Sequence, residues 1–415
     1  MNQRLDPNSL TINGERLWQS LMDLAQIGAT PKGGVARIAL TELDRQGRDL
    51  FVKWCKEAGL AVTVDAIGNI FARRAGSDAS AAPVMSGSHI DTQPSGGKFD
   101  GCFGVMAALE VCRTLNDYGI NTRAPVEVAV WTNEEGSRFT PVMVGSGAFA
   151  GRYELAHARA QKDVDGISFG EALDAIGYNG SAAIGKPVAA YFEAHIEQGP
   201  VLENADKVIG VVTGGLGQRW FNLVVTGMEA HAGPTPMSLR RDALQGATLI
   251  MQEIDAIGRM AADTRGTVGY VKVEPNSRNV IPGRVSFSAD LRADSAAMLD
   301  QMEQRLREFA ARVCAERKLE LSIEPTVNFP PTPFAPECMN AVRAGAQRLG
   351  YTNMELVSGA GHDAIHMAEV CPAAMIFVPC KDGISHNEIE DAKPEHLTAG
   401  CNVLLHAMLE RAGVV

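Results

Sequence analysis

Hydrophobic positions along this chain follow two periods in turn, and the switches between them predict its elements. Over Leu17–Leu24 and Thr41–Gly59 apolar residues recur every three or four positions (Leu50, Phe51, Trp54, Cys55, Ala58), which predicts helices. Ala61–Ala75 alternates around Gly68-Asn69, the pattern of a hairpin. The runs Pro83–Asp91 and Pro125–Thr132 read as buried strands on either side of an apolar helix over Gly104–Tyr118. Strand, helix, strand in that order predicts a βαβ unit and so an α/β layer architecture. Residues 150–187 are mostly polar, with one short helix expected over Phe169–Ile176. Ala190–Glu197 and Val208–Val212 are further strands.

Around Thr213-Gly214-Gly215 the organisation changes. A strand over Gln218–Thr226 leads to a long helix over Ser238–Met260 and a strand over Thr267–Glu274. A strand over Val285–Arg292, a helix over Ser295–Lys318 and a strand over Glu320–Val327 follow. That order is βαββαβ, the ferredoxin-like pattern, and it is self-contained. Beyond the proline-rich residues 329–336 the α/β pattern resumes. It runs through a helix over Glu337–Leu349, a strand over Met354–Val357, a helix over His362–Glu369, a strand over Ala374–Val378 and a last helix over Pro394–Ala412. The expected molecule is an α/β protein of two domains. Residues 1–212 and 330–415 form a discontinuous larger domain, and residues 213–329 are inserted into it as a smaller one.

Composition narrows the function. At 415 residues the chain is too long for one ordinary core, and 46% hydrophobic with 21% charged residues is globular. A net charge of −11 without a basic stripe argues against nucleic acid as a partner. No apolar run approaches the roughly 18 residues of a membrane span. The first residues lack the apolar core of a signal peptide. Eight cysteines, at 55, 102, 112, 314, 338, 371, 380 and 401, form no Cys-x-x-Cys pair, so free thiols in a reducing cytoplasm are expected.

Candidate chemistry lies at predicted strand ends, where an α/β sheet opens into a crevice. Of nine histidines, His89, His195, His231, His362 and His386 occupy glycine-rich or strand-end contexts. His157, His366, His396 and His406 lie in helical or polar stretches, where packing accounts for them. His89 ends one strand, with Asp91 two residues on along the same face, where a carboxylate can orient the imidazole. Asp100 returns from the following loop. Glu134 and Glu135 end the next strand, His195 and Glu197 a third, and His386 follows the strand that ends at Val378. Imidazoles and carboxylates in this mixture suit zinc, or manganese and cobalt in the same geometry. A two-metal site needs a shared carboxylate, terminal ligands for each ion and one spare carboxylate to take a proton from water. The chain carries all three. Two adjacent glutamates do not easily ligate one centre, so one of the pair is a natural base. Competing signals are weaker. Gly145–Ala150 fits a relaxed dinucleotide fingerprint without its acidic partner or βαβ context. No Gly-x-Ser-x-Gly elbow is present, and Cys102 reads as a packed thiol with no activating cation nearby.

Five strings carry a resemblance: Gly87–Thr92 with Gly96–Gly101, Asn133–Phe139, His195–Glu203, His231–Met237, and Gly383–Glu388. Together they resemble the di-metal amidohydrolases of the hydantoinase/carbamoylase family, relatives of the aminoacylase-type zinc exopeptidases. The strings occur in the family's order along nearly the whole chain. The resemblance implies two divalent ions, with His89 and His195 on one, Glu135 and His386 on the other, and Asp100 bridging. It makes Glu134 the general base, Asp91 the partner that orients His89, and His231 a lid histidine for the developing oxyanion. Asn279 and Arg292 match the residues that hold a substrate carboxylate, which a planar guanidinium grips with two hydrogen bonds. Gln198, Gln218 and the Gly361 backbone match further substrate contacts. The implied reaction is hydrolysis of the carbamoyl C–N bond of N-carbamoyl-L-amino acids, a small-molecule ureido substrate. Allantoate, N-carbamoyl-β-alanine, N-acyl amino acids or dipeptides are alternative substrates, and a non-catalytic metal-binding paralogue is the alternative of a different class. In such relatives the insert closes over the site and joins two subunits, so a homodimer is expected.

Overall fold

The computed structural model describes residues 9–415. The chain divides into two compact units, one running to Thr213 and resuming at Pro333, the other spanning Gly214–Thr332. Its strands in chain order are β1 (Ala61–Val64), β2 (Ile70–Arg74), β3 (Val84–His89), β4 (Val126–Trp131), β5 (Ala190–Ile196) and β6 (Ile209–Gly215). Next come β7 (Gly217–Thr226), β8 (Ala230–His231), β9 (Arg265–Thr267), β10 (Val271–Glu274), β11 (Val280–Ile281), β12 (Arg284–Ala293) and β13 (Glu320–Phe329). The last three are β14 (Thr332–Pro333), β15 (Asn353–Ser358) and β16 (Ala373–Val378).

The larger unit is built on a nine-stranded sheet in the order β1-β2-β4-β3-β5-β16-β6-β14, with β15 also pairing β6. Its centre, β4-β3-β5-β16, is parallel. These four strands are buried at every position, as a parallel sheet covered on both faces requires. Alternate residues feed two cores, because side chains alternate between the faces of a strand. Val126, Val128 and Val130 of β4 join Phe192 and Ala194 of β5 and Ile376 of β16 beneath the helices Gly14–Ala25, Cys102–Asp117 and Pro394–Ala412. Trp131, Tyr191 and Met375 face the other way, onto Phe149 and Met367.

The smaller unit has the ferredoxin-like strand order β10-β12-β7-β13, with β9 also on β12. Its helices Ala243–Ile257 and Ala296–Glu316 bury Ile250, Ile254, Met302 and Leu306 against Phe221, Leu223, Phe287 and Leu291. Three local expectations need correction. The helix expected from Ser238 starts at Ala243, because the Asp242 side chain caps it by accepting from the Leu244 and Gln245 amides. The strand expected over Thr267–Glu274 is two, since residues 268–270 leave the ladder and the Tyr270 amide turns to Ser288 Oγ at 3.1 Å. The polar stretch 150–187 holds a second short helix, Leu155–Ala160, whose apolar pattern is too brief to register.

Arg48 ties the fold to the sheet edge used below. It is buried, pairs with Asp44 at 2.9 Å, and donates to the Gly68 carbonyl at the hairpin turn and to Thr132 Oγ1 after β4. Among the described residues no helix is long and apolar enough to cross a membrane. Arg48→Met strands a buried Asp44 carboxylate, and the expected cost is about 3–5 kcal/mol, read as a lower urea midpoint.

Candidate metal centre

In a parallel block every strand ends at the same edge, so the residues that follow these strands must meet. His89 closes β3, Glu134 and Glu135 follow β4, His195 lies one residue from the end of β5, and the loop after β16 carries His386. Asp100 joins them from the loop before the helix Cys102–Asp117. Its two oxygens face different partners. Oδ1 lies 3.7 Å from His89 Nε2 and 3.2 Å from His195 Nε2, while Oδ2 lies 3.3 Å from His386 Nε2. His386 Nε2 is also 3.2 Å from Glu135 Oε2. Two of the three sets of potential ligand atoms among the described residues contain Asp100, His89–Asp100–His195 and Asp100–Glu135–His386, and the third is Glu193–His195–His362, the atoms of each set within 4.8 Å of one another. Glu134 belongs to none of them, and its Oε2 lies 3.4 Å from His89 Nε2.

Local chain geometry sets these positions. Gly101 has φ +63°, and a Cβ there would lie 2.4 Å from the His89 ring, so the turn after Asp100 needs glycine. His89 Nδ1 is 2.9 Å from the Asp91 carbonyl and His195 Nδ1 is 2.8 Å from the Ile196 carbonyl. A carbonyl only accepts, so both Nδ1 atoms carry hydrogen and both Nε2 atoms turn to the centre, where that of His195 lies 3.1 Å from the Gly101 amide. The expected Asp91–His89 contact therefore runs through the main chain. The Asp91 carboxylate stands 3.9 Å from the ring and instead accepts from the Glu134 and Glu135 amides, both at 3.3 Å. Asp91 thus orients the glutamate pair as well as the histidine. Gln198, itself at φ +58°, donates from Nε2 to Asp100 Oδ2 at 2.8 Å. Glu197 lies outside the centre and caps the short helix after it, accepting from the Val201 and Leu202 amides.

Charge balance is the test of whether metals fit. Asp91, Asp100, Glu134 and Glu135 are all buried, with imidazoles as their nearest basic groups. Burial, followed by the carboxylates of Asp363, Glu135, Asp91 and Asp100, pushes the Glu134 carboxyl well above its ordinary range. Burial would raise Asp100 too, yet His195 and His386 beside it hold it well below the usual carboxylate range. Burial lowers His195, but Asp100 more than offsets this and brings it to about 9, and Asp100 and Glu135 raise His386 to about 10. Without ions, such a set has to draw its positive charge from protons held on these imidazoles. Two divalent ions would supply it, and imidazole with carboxylate donors is the chemistry that zinc, manganese and cobalt accept. The residues fit the ions.

Several neighbours escaped the linear reading. Glu193, two residues before His195 on β5 and so on its face, accepts from Ser88 Oγ at 2.7 Å and the Ala364 amide at 2.8 Å. Its strand spacing was the available signal. The His362 ring is buried with its centroid 4.5 Å from that of His195, and Gly361 directly precedes it. Cys102 does have a cation beside it, contrary to expectation, for Arg37 Nη2 lies 3.1 Å from its sulfur. Burial still outweighs that charge and pushes the thiol up to about 11, so it stays protonated.

Four expected substrate contacts lie in the smaller unit. His231 on β8 pairs with Val280 on β11, and the Ala232 amide donates to the Asn279 carbonyl, so His231 and Asn279 are neighbours. His231 Nδ1 accepts from the Gly233 amide at 3.1 Å, which leaves the ring hydrogen on Nε2. Arg292 and Gln218 face each other across β12 and β7, and Asp290 holds the Arg292 guanidinium at 2.9 Å.

Comparison with known proteins agrees with this geometry. The profile described as Peptidase family M20/M25/M40 matches residues 85–410. An N-carbamoyl-L-amino-acid amidohydrolase of Rhizobium meliloti is 48% identical over 97% of this chain and 98% of its own length. An allantoate amidohydrolase of Bacillus subtilis is 34% identical over 94% of this chain and 95% of its own. The crystal structure of an amidase of the hydantoinase/carbamoylase family from Burkholderia multivorans superposes with a TM-score of 0.95. It is 57% identical and covers 97% of this chain and 99% of that one. Asp100→Asn should weaken ion binding at both donor sets, whereas His89→Ala should first empty the set shared with His195. Bound ions counted by atomic emission after dialysis distinguish the two.

Proposed function

The chain belongs to peptidase family M20/M25/M40, and on that premise we propose that it hydrolyses the carbamoyl C–N bond of N-carbamoyl-L-amino acids. One observation carries the reading: the two oxygens of Asp100 face two separate donor sets, and Glu134 stands beside them in neither. His89 and His195 would hold one divalent ion, Glu135 and His386 the other, with Asp100 between; zinc, manganese and cobalt all suit these donors. When bound, such ions supply charge for a developing oxyanion and acidity for water. The names of the full-length relatives support the substrate class.

The chain's own residues then have distinct tasks. Glu134, in a buried and acid-rich setting that makes its carboxyl a ready proton carrier, takes a proton from the attacking water. It returns that proton to the amino acid nitrogen as the bond from the carbamoyl carbon breaks. The carbamic acid released falls to ammonia and carbon dioxide. Asp91 keeps Glu134 in place by accepting its amide, so the base need not reorganise during the reaction. His231 donates from Nε2 to the carbonyl oxygen as negative charge grows there. Asn279 and Arg292 hold the substrate carboxylate, with Gln198, Gln218 and the Gly361 backbone completing the contacts. In this reading the working molecule is a homodimer joined through the smaller unit.

Allantoate is the second reading, favoured by the full-length likeness to an allantoate amidohydrolase. A panel measuring ammonia release decides. It comprises N-carbamoyl-α-amino acids of both hands, N-carbamoyl-β-alanine, allantoate and N-acetyl amino acids, each with zinc, manganese and cobalt. Fastest turnover of the L-carbamoyl compounds is expected, and turnover of allantoate alone would move the assignment. Glu134→Gln should keep its metal and lose kcat by on the order of 10²–10⁴-fold, the usual share of general acid–base catalysis. Arg292→Ala should raise KM for carboxylate substrates about tenfold or more, as loss of a charged hydrogen bond of roughly 1.5–3 kcal/mol implies.

A further inference from the structure

The two donor sets are held in place by different means. His89 and His195 have side chains only 2% and 1% exposed, and each Nδ1 is fixed by a main-chain carbonyl. The His386 side chain is 51% exposed, its residue sits at φ +53°, and packing does little to aim its ring. Its order has to come from the loop that carries it.

That loop turns back on itself. The Glu390 amide donates to the Asn387 carbonyl at 3.0 Å, and the Ile389 amide to Asn387 Oδ1 at 3.2 Å. The turn delivers the Glu390 carboxylate, 1% exposed, to the chain on either side of Asp100. Glu390 Oε1 accepts from the Phe99 amide at 2.9 Å and the Asp100 amide at 3.1 Å. Its other oxygen accepts from Ser385 Oγ at 2.8 Å, and that hydroxyl also lies 2.9 Å from Asp100 Oδ2. Ser385 directly precedes His386. One buried carboxylate therefore clips the backbone of Asp100 to the residue beside His386. The clip also explains Gly97, where a Cβ would lie 2.0 Å from Glu390 Oε1.

We propose that Glu390 and Ser385 are positioning residues for one metal position only, the one formed by Asp100, Glu135 and His386. This rests on the two-ion reading above and adds that the two positions are separately supported. Outer partners that aim metal ligands are typically worth 10–100-fold in metal affinity. Loosening the clip should be felt at the exposed position, because the buried one keeps its own main-chain anchors.

The test uses the full chain, stripped of metal and titrated with cobalt(II) by calorimetry, with bound ions counted by atomic emission after equilibrium dialysis. The wild type should bind two ions. Ser385→Ala and Glu390→Gln should bind the first ion as the wild type does and the second about 10–100-fold more weakly. Two ions held at wild-type affinity in both variants overturn the proposal, and so does an equal loss at both positions, which marks a merely structural role. A wild type that takes fewer than two ions overturns the two-ion reading itself. Should Glu390→Gln fail to fold, Ser385→Ala decides alone, since it removes one hydroxyl from a partly exposed turn.

Discussion

A single carboxylate facing two ways organises this molecule. Asp100 presents Oδ1 to two buried imidazoles and Oδ2 to a half-exposed one. Gly101 turns the chain behind it, Glu390 accepts its amide, and the helix Cys102–Asp117 starts just beyond. The parallel strands supply the rest. Because β3, β4, β5 and β16 run in one direction, their following loops reach one edge, and side chains nearly 300 residues apart in sequence come within 4 Å.

The same arrangement carries an electrostatic cost. Four acidic side chains are buried around the centre, and the carboxyls of Glu193, Asp363 and Glu390 are buried close by. Unpaired buried charge is expensive, and groups in that position shift their proton affinity instead of ionising. Glu134 and Asp363 rise for this reason, with burial the leading cause in each. A site poised in this way gains free energy from any divalent ion it takes up, so ion binding and folding stability are linked. The burial that makes this acid cluster costly is also what raises the Glu134 carboxyl well above its ordinary range.

Much of this was legible along the chain. The strands are long apolar runs because they are buried on both faces, and the large helices show their periodicity plainly. The family strings around His89, Glu134, His195 and His386 lie at strand ends that the parallel sheet brings to one edge. What escaped was set by contacts distant in sequence. Arg37 reaches the Cys102 sulfur across 65 positions and Glu390 reaches the Phe99 amide across 291. Neither residue type announces such a partner. The Asp91 carboxylate looked suited to His89 from strand alternation, but the strand ends at His89 and the carbonyl of Asp91 takes the ring hydrogen. The helix expected from Ser238 began late for a local reason, the Asp242 cap, which periodicity does not reveal.

The sequence by itself determined the layers, the two periods of its elements, and the residue types able to bind metal and move a proton, because these follow from local spacing and side-chain chemistry. Tertiary structure alone decided which oxygen of Asp100 faces which histidine, that Asp91 steadies the glutamate pair, and that Glu390 clips two distant loops together. Those are questions of direction and distance between chain segments, and no period in a sequence encodes them. They arise only when parallel strands bring their ends to one edge.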